Sequence, residues 1–203
     1  MDKTERTKWL KDVYNEAVTA RKTYPELRFN PVIAAAQAAL ESNWGRSQLA
    51  VRANNIKGMK VSRDWQGKRI QLPTREQRPD GTVYETTADW KVYPSVQEAF
   101  KDYGALIERV YPQAAAVADI PFAFLEALTS GALKYATDLQ YTSKVWSIVE
   151  QYGMLTWEDV YGLTEEEFLY NGYIIRLYGI PNEFGDMIIR NSRKHKTLHI
   201  RWE

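Results

Sequence analysis

The feature that most constrains this chain is a change of hydrophobic period. From Ile70 to Tyr93 it reads IQLPTREQRPDGTVYETTADWKVY, with Tyr84, Thr86, Ala88, Trp90 and Val92 alternating at period two. Asp80-Gly81 is a dipeptide suited to a tight turn between β-prone stretches. A β-hairpin of about 20 residues is therefore expected there. On either side the apolar residues recur at helical spacing, so the order is helices, one hairpin, then helices. That order predicts an α+β domain that is mainly helical.

The helical signals are specific. Residues 4–22 place Trp9, Val13, Ala17 and Ala20 on one stripe with charges between them. Asn30 and Pro31 form an N-cap and first turn, and Ile33, Ala36, Leu40 and Trp44 follow at spacings of three and four, with Gly45 expected as the C-cap. A short helix is expected from Ser47 to the RANN of 52–55. Ser95 and Glu98 form a capping box, Pro121 opens a helix that Gly131 closes, and YTSKVWSIVEQYG carries Val145, Ile148, Val149 and Tyr152 on one face. Thr164 and Glu167 suggest one more capping box. With Phe168, Leu169, Ile175 and Leu177, they predict that 163–203 is a helical extension packed on a main domain of 1–162.

Composition narrows the function classes. At 203 residues, 44% hydrophobic, the chain suffices for one well-cored domain with an appendage. Twenty-seven basic against 26 acidic residues give a net charge of +1, which argues against a global nucleic-acid or membrane binder. The absence of cysteine excludes disulfides, thiolate metal sites and cysteine nucleophiles. The start, MDKTERTKWLKD, lacks the apolar core of a signal peptide.

Glu41 raises the sharpest question. It stands in the last turn of its helix, beside carbonyls at the negative end of the dipole, where a carboxylate costs ~0.3–1 kcal/mol. An exposed, idle carboxylate can tolerate that cost. The alternative is a general acid, which must keep its proton near neutral pH to deliver it to a leaving oxygen. A helix C-terminus pushes that way by less than about one pKa unit, so apolar cover would have to supply the rest.

The stretch AQAALESNWGRSQLA…NNIKGMK, together with the later YATDLQYTSKV and the hairpin between them, closely resembles the glucosaminidase family of peptidoglycan hydrolases, glycoside hydrolase family 73. Its members carry an AQAALESGWG-like helix end, then NNIFGIK, then YATDPxYxxKI. The resemblance spans about Trp9 to Tyr161. It implies a lysozyme-like fold with a small β-hairpin lobe, cutting the β-1,4 bond after N-acetylglucosamine in bacterial cell-wall glycan. Carried over by motif, Glu41 is the catalytic acid. The second carboxylate matches Glu76 in Thr74-Arg75-Glu76, with Glu85 on the return strand as competitor. Tyr135 of the YATD segment is a third catalytic candidate, and Asp138 reads better as a helix cap. Trp44, Asn55, Lys57, Trp90 and Tyr141 are the substrate-binding candidates.

Three departures stand out: Lys57 for the family's Phe, Asn43 for Gly, and Leu139 for Pro. Lys57 removes an aromatic platform and offers a cation for peptide or muramyl carboxylates. Trp65, Trp90 and Tyr93 are alternative stacking surfaces or core residues. Two routes fit the chemistry. Inverting hydrolysis uses a carboxylate base on water, whereas in the substrate-assisted route the sugar's 2-acetamido group attacks its own anomeric carbon.

The rivals are a lytic transglycosylase or muramidase on the same glycan, and a non-catalytic glycan-binding or virion structural domain. His195 and His199 have i,i+4 spacing, but with no third ligand and no Cys, no metal or other cofactor is expected. RNSRKHKTLHIR is basic enough to touch anionic wall polymers, although a solvated tail is the plainer reading. A lysozyme-like domain without a signal peptide resembles a bacteriophage endolysin. Such an enzyme is expected to be a monomer, made in the host cytoplasm and acting on the wall after release.

Overall fold

The computed structural model describes the backbone of residues 1–77, 80–131 and 133–157 and of four strands between 165 and 201, with side chains for 1–74, 80–131 and 133–157. Seven helices and one hairpin make up the described part of the first 157 residues: α1 Lys3–Thr23, α2 Pro31–Glu41, α3 Gln48–Ala53, β1 Arg69–Gln77, β2 Val83–Lys91, α4 Val96–Val110, α5 Pro112–Ala115, α6 Pro121–Ser130 and α7 Tyr141–Gln151. A single 3-10 turn follows at Met154–Thr156.

Helix α2 is the centre of the body. Asn30 caps it by accepting from the Ile33 N–H, and Asn30 also donates its amide to Ala118 O at 2.8 Å, so one buried side chain fixes both the helix start and a distant loop. Every residue from Pro31 to Ala39 is buried, the pattern of a helix enclosed on all sides. Five of those residues are alanines, whose small side chains let α1, α6 and α7 approach closely. Phe29, Phe100 and Tyr103 fill the adjoining space, with Phe29 stacked on Phe100 at 6.1 Å and edge-on to Tyr103 at 5.5 Å. Such aromatic pairs contribute about 0.5–1.5 kcal/mol each beyond their buried area.

The local signals hold at most boundaries. Asp2 and Glu5 form a reciprocal capping box at α1, and Ser47 caps α3. Ser95 caps α4, but Glu98 turns away to accept from the Tyr24 hydroxyl, so only half of that expected box forms. Asp138 accepts from the Gln140 N–H and pairs with Lys144 at 2.6 Å, holding the entry to α7.

Two expectations are corrected. The first helix cap after Glu41 is Ser42, not Gly45. Its hydroxyl bonds back to Ala38 O at 2.6 Å and accepts from the Gly45 N–H, ending the helix before the glycine is reached. The second concerns the tail. Its described parts are strands, not helices: β3 Glu165–Tyr170 pairs with β4 Tyr173–Tyr178, and β5 Asp186–Asn191 with β6 Lys196–Arg201, both antiparallel. Alternation of Phe168 with Tyr170 and of Tyr173 with Ile175 and Leu177, about an Asn-Gly dipeptide, outweighs the capping box read at Thr164 and Glu167. His199 falls on β6, so helical i,i+4 spacing does not relate it to His195, which lies outside the described residues. How 163–203 packs on the body also lies outside them. Among the described residues no helix is long and apolar enough to cross a membrane, and no cluster of metal-binding side chains is found.

Candidate active site

The backbone after Glu41 is unusual in a way that positions the carboxylate. Asn43, Trp44 and Gly45 take successive left-handed conformations, with φ of 51°, 58° and 73°. Non-glycine residues there are strained by about 1 kcal/mol or more, so the surroundings must hold them. Trp44 N–H donates to Ala39 O at 2.9 Å, and the Arg46 guanidinium bonds Asn43 Oδ1 at 3.1 Å. At Gly45 a Cβ would collide with the Trp9 indole. This reversal makes Glu41 the last helical residue and turns the chain straight into α3. It also explains Asn43 in place of glycine, since asparagine is among the residues that best tolerate left-handed backbone.

Glu41 itself is exposed, and Tyr141 donates its hydroxyl to Glu41 Oε1 at 2.9 Å. Tyr141 opens α7 and is buried, so the carboxyl is gripped from the element that packs on its own helix. Behind this pair lies a cluster of tyrosines. Tyr135, half-buried, sits 5.8 Å from Tyr141, 5.8 Å from Tyr111 and 6.2 Å from Tyr103, centroid to centroid. Burial and the neighbouring Glu41 carboxylate raise the proton affinities of Tyr135 and Tyr141, and burial does the same for Tyr103 and Tyr111. These hydroxyls stay neutral hydrogen-bonding groups across the physiological range.

Lys57 is the outlier. It is 4% exposed, its Nζ donates to Gln37 Oε1 at 2.8 Å, and it lies 4.1 Å from the centroid of the Tyr103 ring. Tyr103 donates to the same Gln37 oxygen at 2.7 Å. Desolvation pulls the Lys57 ammonium down to about 7, with the Glu41 carboxylate acting in the opposite direction. The expected solvent-facing cation for substrate carboxylates is therefore not what this residue provides. It is enclosed because α2 and α4 close over it.

Asn55 needs the same correction. Asn55 is buried, donates to Met59 O and Lys91 O at 2.9 Å each, and accepts from the Met59 N–H, which occupies its amide in tying a loop to the root of β2. Trp44, half-buried, packs between Trp9 and Tyr152, with Arg6 at 5.1 Å from its ring. Trp90 is half-buried on the hairpin. With Leu72 and Pro73 it faces Ser47, Gln48 and Leu49 across a groove of ≈ 300 Å³. Trp65 stacks edge-on to Tyr93, under Lys91, which is paired to Asp102 at 2.8 Å.

The hairpin register separates the two competing carboxylates. Opposed residues share a face, so Ile70/Trp90, Leu72/Ala88, Thr74/Thr86 and Glu76/Tyr84 form one set, and Arg75/Glu85 falls in the alternate set. Among described side chains, Leu72 is buried and Ile70, Thr74, Thr86, Ala88 and Trp90 are half-buried, whereas Gln71, Pro73, Glu85, Thr87 and Asp89 are exposed. Position 76 belongs by register to the first set, but Tyr84, the residue opposite it, is exposed, so the cover seen nearer the root of the hairpin does not reach that end.

Sequence reasoning missed Gln37, Tyr103 and Tyr111. A signal existed for the first: Gln37 is the lone polar residue inside an apolar helix, one turn before Glu41 on the same face.

Comparison with known proteins adds an independent line. Residues 17–154 match the family model described as glucosaminidase, mannosyl-glycoprotein endo-beta-N-acetylglucosaminidase. The peptidoglycan hydrolase FlgJ of Salmonella typhimurium is 37% identical over 121 residues, covering 57% of this chain and 37% of that protein. The exo-glucosaminidase LytG of Bacillus subtilis is 31% identical over 148 residues, covering 70% and 50%. The chain therefore matches between about a third and a half of the length of these relatives. Among solved structures, the catalytic domain of the autolysin Auto from Listeria monocytogenes superposes with a TM-score of 0.64 at 28% identity, covering 76% of this chain and 88% of that one. The glycoside hydrolase domain of the Salmonella FlgJ protein gives 0.59 at 27% identity, covering 77% and 91%.

Proposed function

The chain belongs to the glucosaminidase family of glycoside hydrolases, and from that premise we propose that it cleaves the β-1,4 bond after N-acetylglucosamine in bacterial peptidoglycan. The observation that carries the reading is Glu41 at the end of an enclosed helix, exposed, with one oxygen held by Tyr141. A general acid needs a fixed direction towards the leaving oxygen, and a single buried donor on one carboxyl oxygen leaves the other for the substrate.

In this reading Glu41 delivers the proton, and Glu76 acts from the hairpin, either as base for the attacking water or by supporting the 2-acetamido group as it closes on the anomeric carbon. Tyr135 and Tyr141 remain neutral donors that stabilise charge near Glu41. Trp90 and the groove beside α3 are the proposed sugar contact, and the bacterial cell wall is the proposed site of action. Digestion of purified peptidoglycan followed by mass spectrometry tests this. Fragments ending in reducing N-acetylglucosamine are expected. Reducing muramic acid ends, or 1,6-anhydro ends, would replace it with a muramidase or lytic transglycosylase.

A further inference from the structure

We propose that Asp102 is a positioning residue for the β1–β2 hairpin: its carboxylate, shared by Lys91 and Tyr93, fixes the tilt at which the hairpin stands against the body, and so where position 76 is presented. The proposal rests on the functional reading above, in which the hairpin carries the second carboxylate, and adds the group on α4 that aims it.

The root of the hairpin is tied on two sides. On one side the ties run through its backbone: Lys91 N–H donates to Met59 O at 3.1 Å, Tyr93 N–H to Ala53 O at 2.9 Å, and the Asn55 amide to Lys91 O at 2.9 Å. All three join the root to the segment 53–59. Bonds to one segment leave a ribbon free to pivot about that line. On the other side stands α4. Lys91 Nζ donates to Asp102 Oδ2 at 2.8 Å and Oδ1 at 3.1 Å, and the Tyr93 hydroxyl donates to Oδ2 at 2.6 Å. Lys91 and Tyr93 are both buried. Trp65 completes the joint, edge-on to Tyr93 at 5.6 Å and 4.8 Å from the Lys91 ammonium. Its indole N–H donates to Lys68 O at 3.0 Å, just before β1, and a Cβ on Gly67 would collide with its ring. The residues flanking both strands therefore meet around one carboxylate.

The hairpin magnifies whatever happens at this joint. Arg69 pairs with Lys91 and Glu76 with Tyr84, so position 76 lies seven residues out along β1. At about 3.4 Å per residue that is a lever of roughly 24 Å, and a tilt of about 5° at the root carries its end about 2 Å. Misplacing a reacting group by ~1 Å can cost about 10²-fold in rate. Cover thins in the same direction: Leu72 is buried, whereas Val83 and Tyr84 are exposed. The far end takes its direction from the root. Neutralising Asp102 would leave the buried Lys91 ammonium without its counter-charge, and the root can relieve that by turning Lys91 towards water.

The chain has no cysteine, so a pair of spin labels can be placed at chosen positions. Thr87→Cys on β2 and Arg109→Cys on α4, both at exposed positions, report the hairpin against the body by double electron–electron resonance. Asp102→Asn should shift the mean label distance by about 2 Å, or broaden its distribution to that extent. It should lower kcat about tenfold with a smaller change in KM. Tyr93→Phe removes one hydroxyl and leaves the ion pair, so it should move both readouts the same way by less; it also serves if Asp102→Asn fails to fold. In a Glu76→Gln background, Asp102→Asn should cost less than about twofold more, because the carboxylate it aims is already gone. An unchanged distance distribution in folded Asp102→Asn, or in Tyr93→Phe where that variant fails to fold, overturns the proposal, whatever the rate. Losses that multiply in the double variant overturn it too, since Asp102 would then act elsewhere than through position 76. A Glu76→Gln variant as fast as wild type, or absence of wall cleavage by folded wild type, would overturn the functional reading instead, and the label distances then decide the joint alone.

Discussion

Glu41 ends a helix whose residues from Pro31 to Ala39 are all buried, and a tyrosine from α7 grips one of its oxygens. Glu76 stands near the far end of a two-stranded ribbon, whose root is tied to the body by Asn55, Lys91 and Tyr93. The first carboxyl is placed by packing, hydrogen bonding and three successive left-handed residues; the second is placed by strand register. The contrast sets a carboxyl held by packing and a hydrogen bond against one carried on a strand of a two-stranded ribbon.

The sharpest way to break this comparison is at Glu41. Glu41→Gln retains an oxygen for Tyr141 to donate to but has no proton to give, so hydrolysis should fall at least ~10²-fold at unchanged melting temperature. Near-normal clearing of a wall suspension by the folded variant would remove Glu41 from the chemistry. On the hairpin, Glu76→Gln should cost about tenfold or more, and Glu85→Gln less than about threefold. A larger loss at Glu85 would mean that register parity does not decide which carboxylate works. Tyr141→Phe should then lower kcat about fivefold with little change in KM, because it frees the carboxyl to rotate without removing it.

The smaller effects sharpen the stability side. Asn30→Ala loses the cap of α2 and a buried bond to Ala118, which together stabilise by about 1–3 kcal/mol. Its melting temperature should drop by several degrees, while the rate per folded molecule is retained. Lys57 gives the last test. Unfolded, it holds its proton up to 10.5, and folded it releases it near 7, so the unfolded chain binds more protons between those values. Stability contributed by this residue therefore rises with pH across that window. Lys57→Met should be more stable than wild type near pH 7, with the gap in melting temperature closing towards pH 10.

Much of this was legible before any coordinates. Asn30-Pro31, Ser47, Ser95, Pro121 and Asp80-Gly81 announce their elements because caps and turns are satisfied by neighbours a few residues away. The tail shows the limit of such signals. Thr164 and Glu167 satisfy a helix-start pattern, yet period-two alternation about Asn171-Gly172 describes the strands β3 and β4 better. Two local rules competed there, and the longer pattern prevailed.

The sequence by itself determined where the chain changes from helix to hairpin, that Glu41 falls at a helix end, and which motifs surround it. The tertiary structure alone decided which polar residues are exposed and which are enclosed. Asn55 and Lys57 read as binding groups in a motif, but their partners lie 36 and 20 residues away, and Tyr103 reaches Gln37 across 66. Burial is a property of elements packed together, and no local pattern records which helix will close over a given lysine.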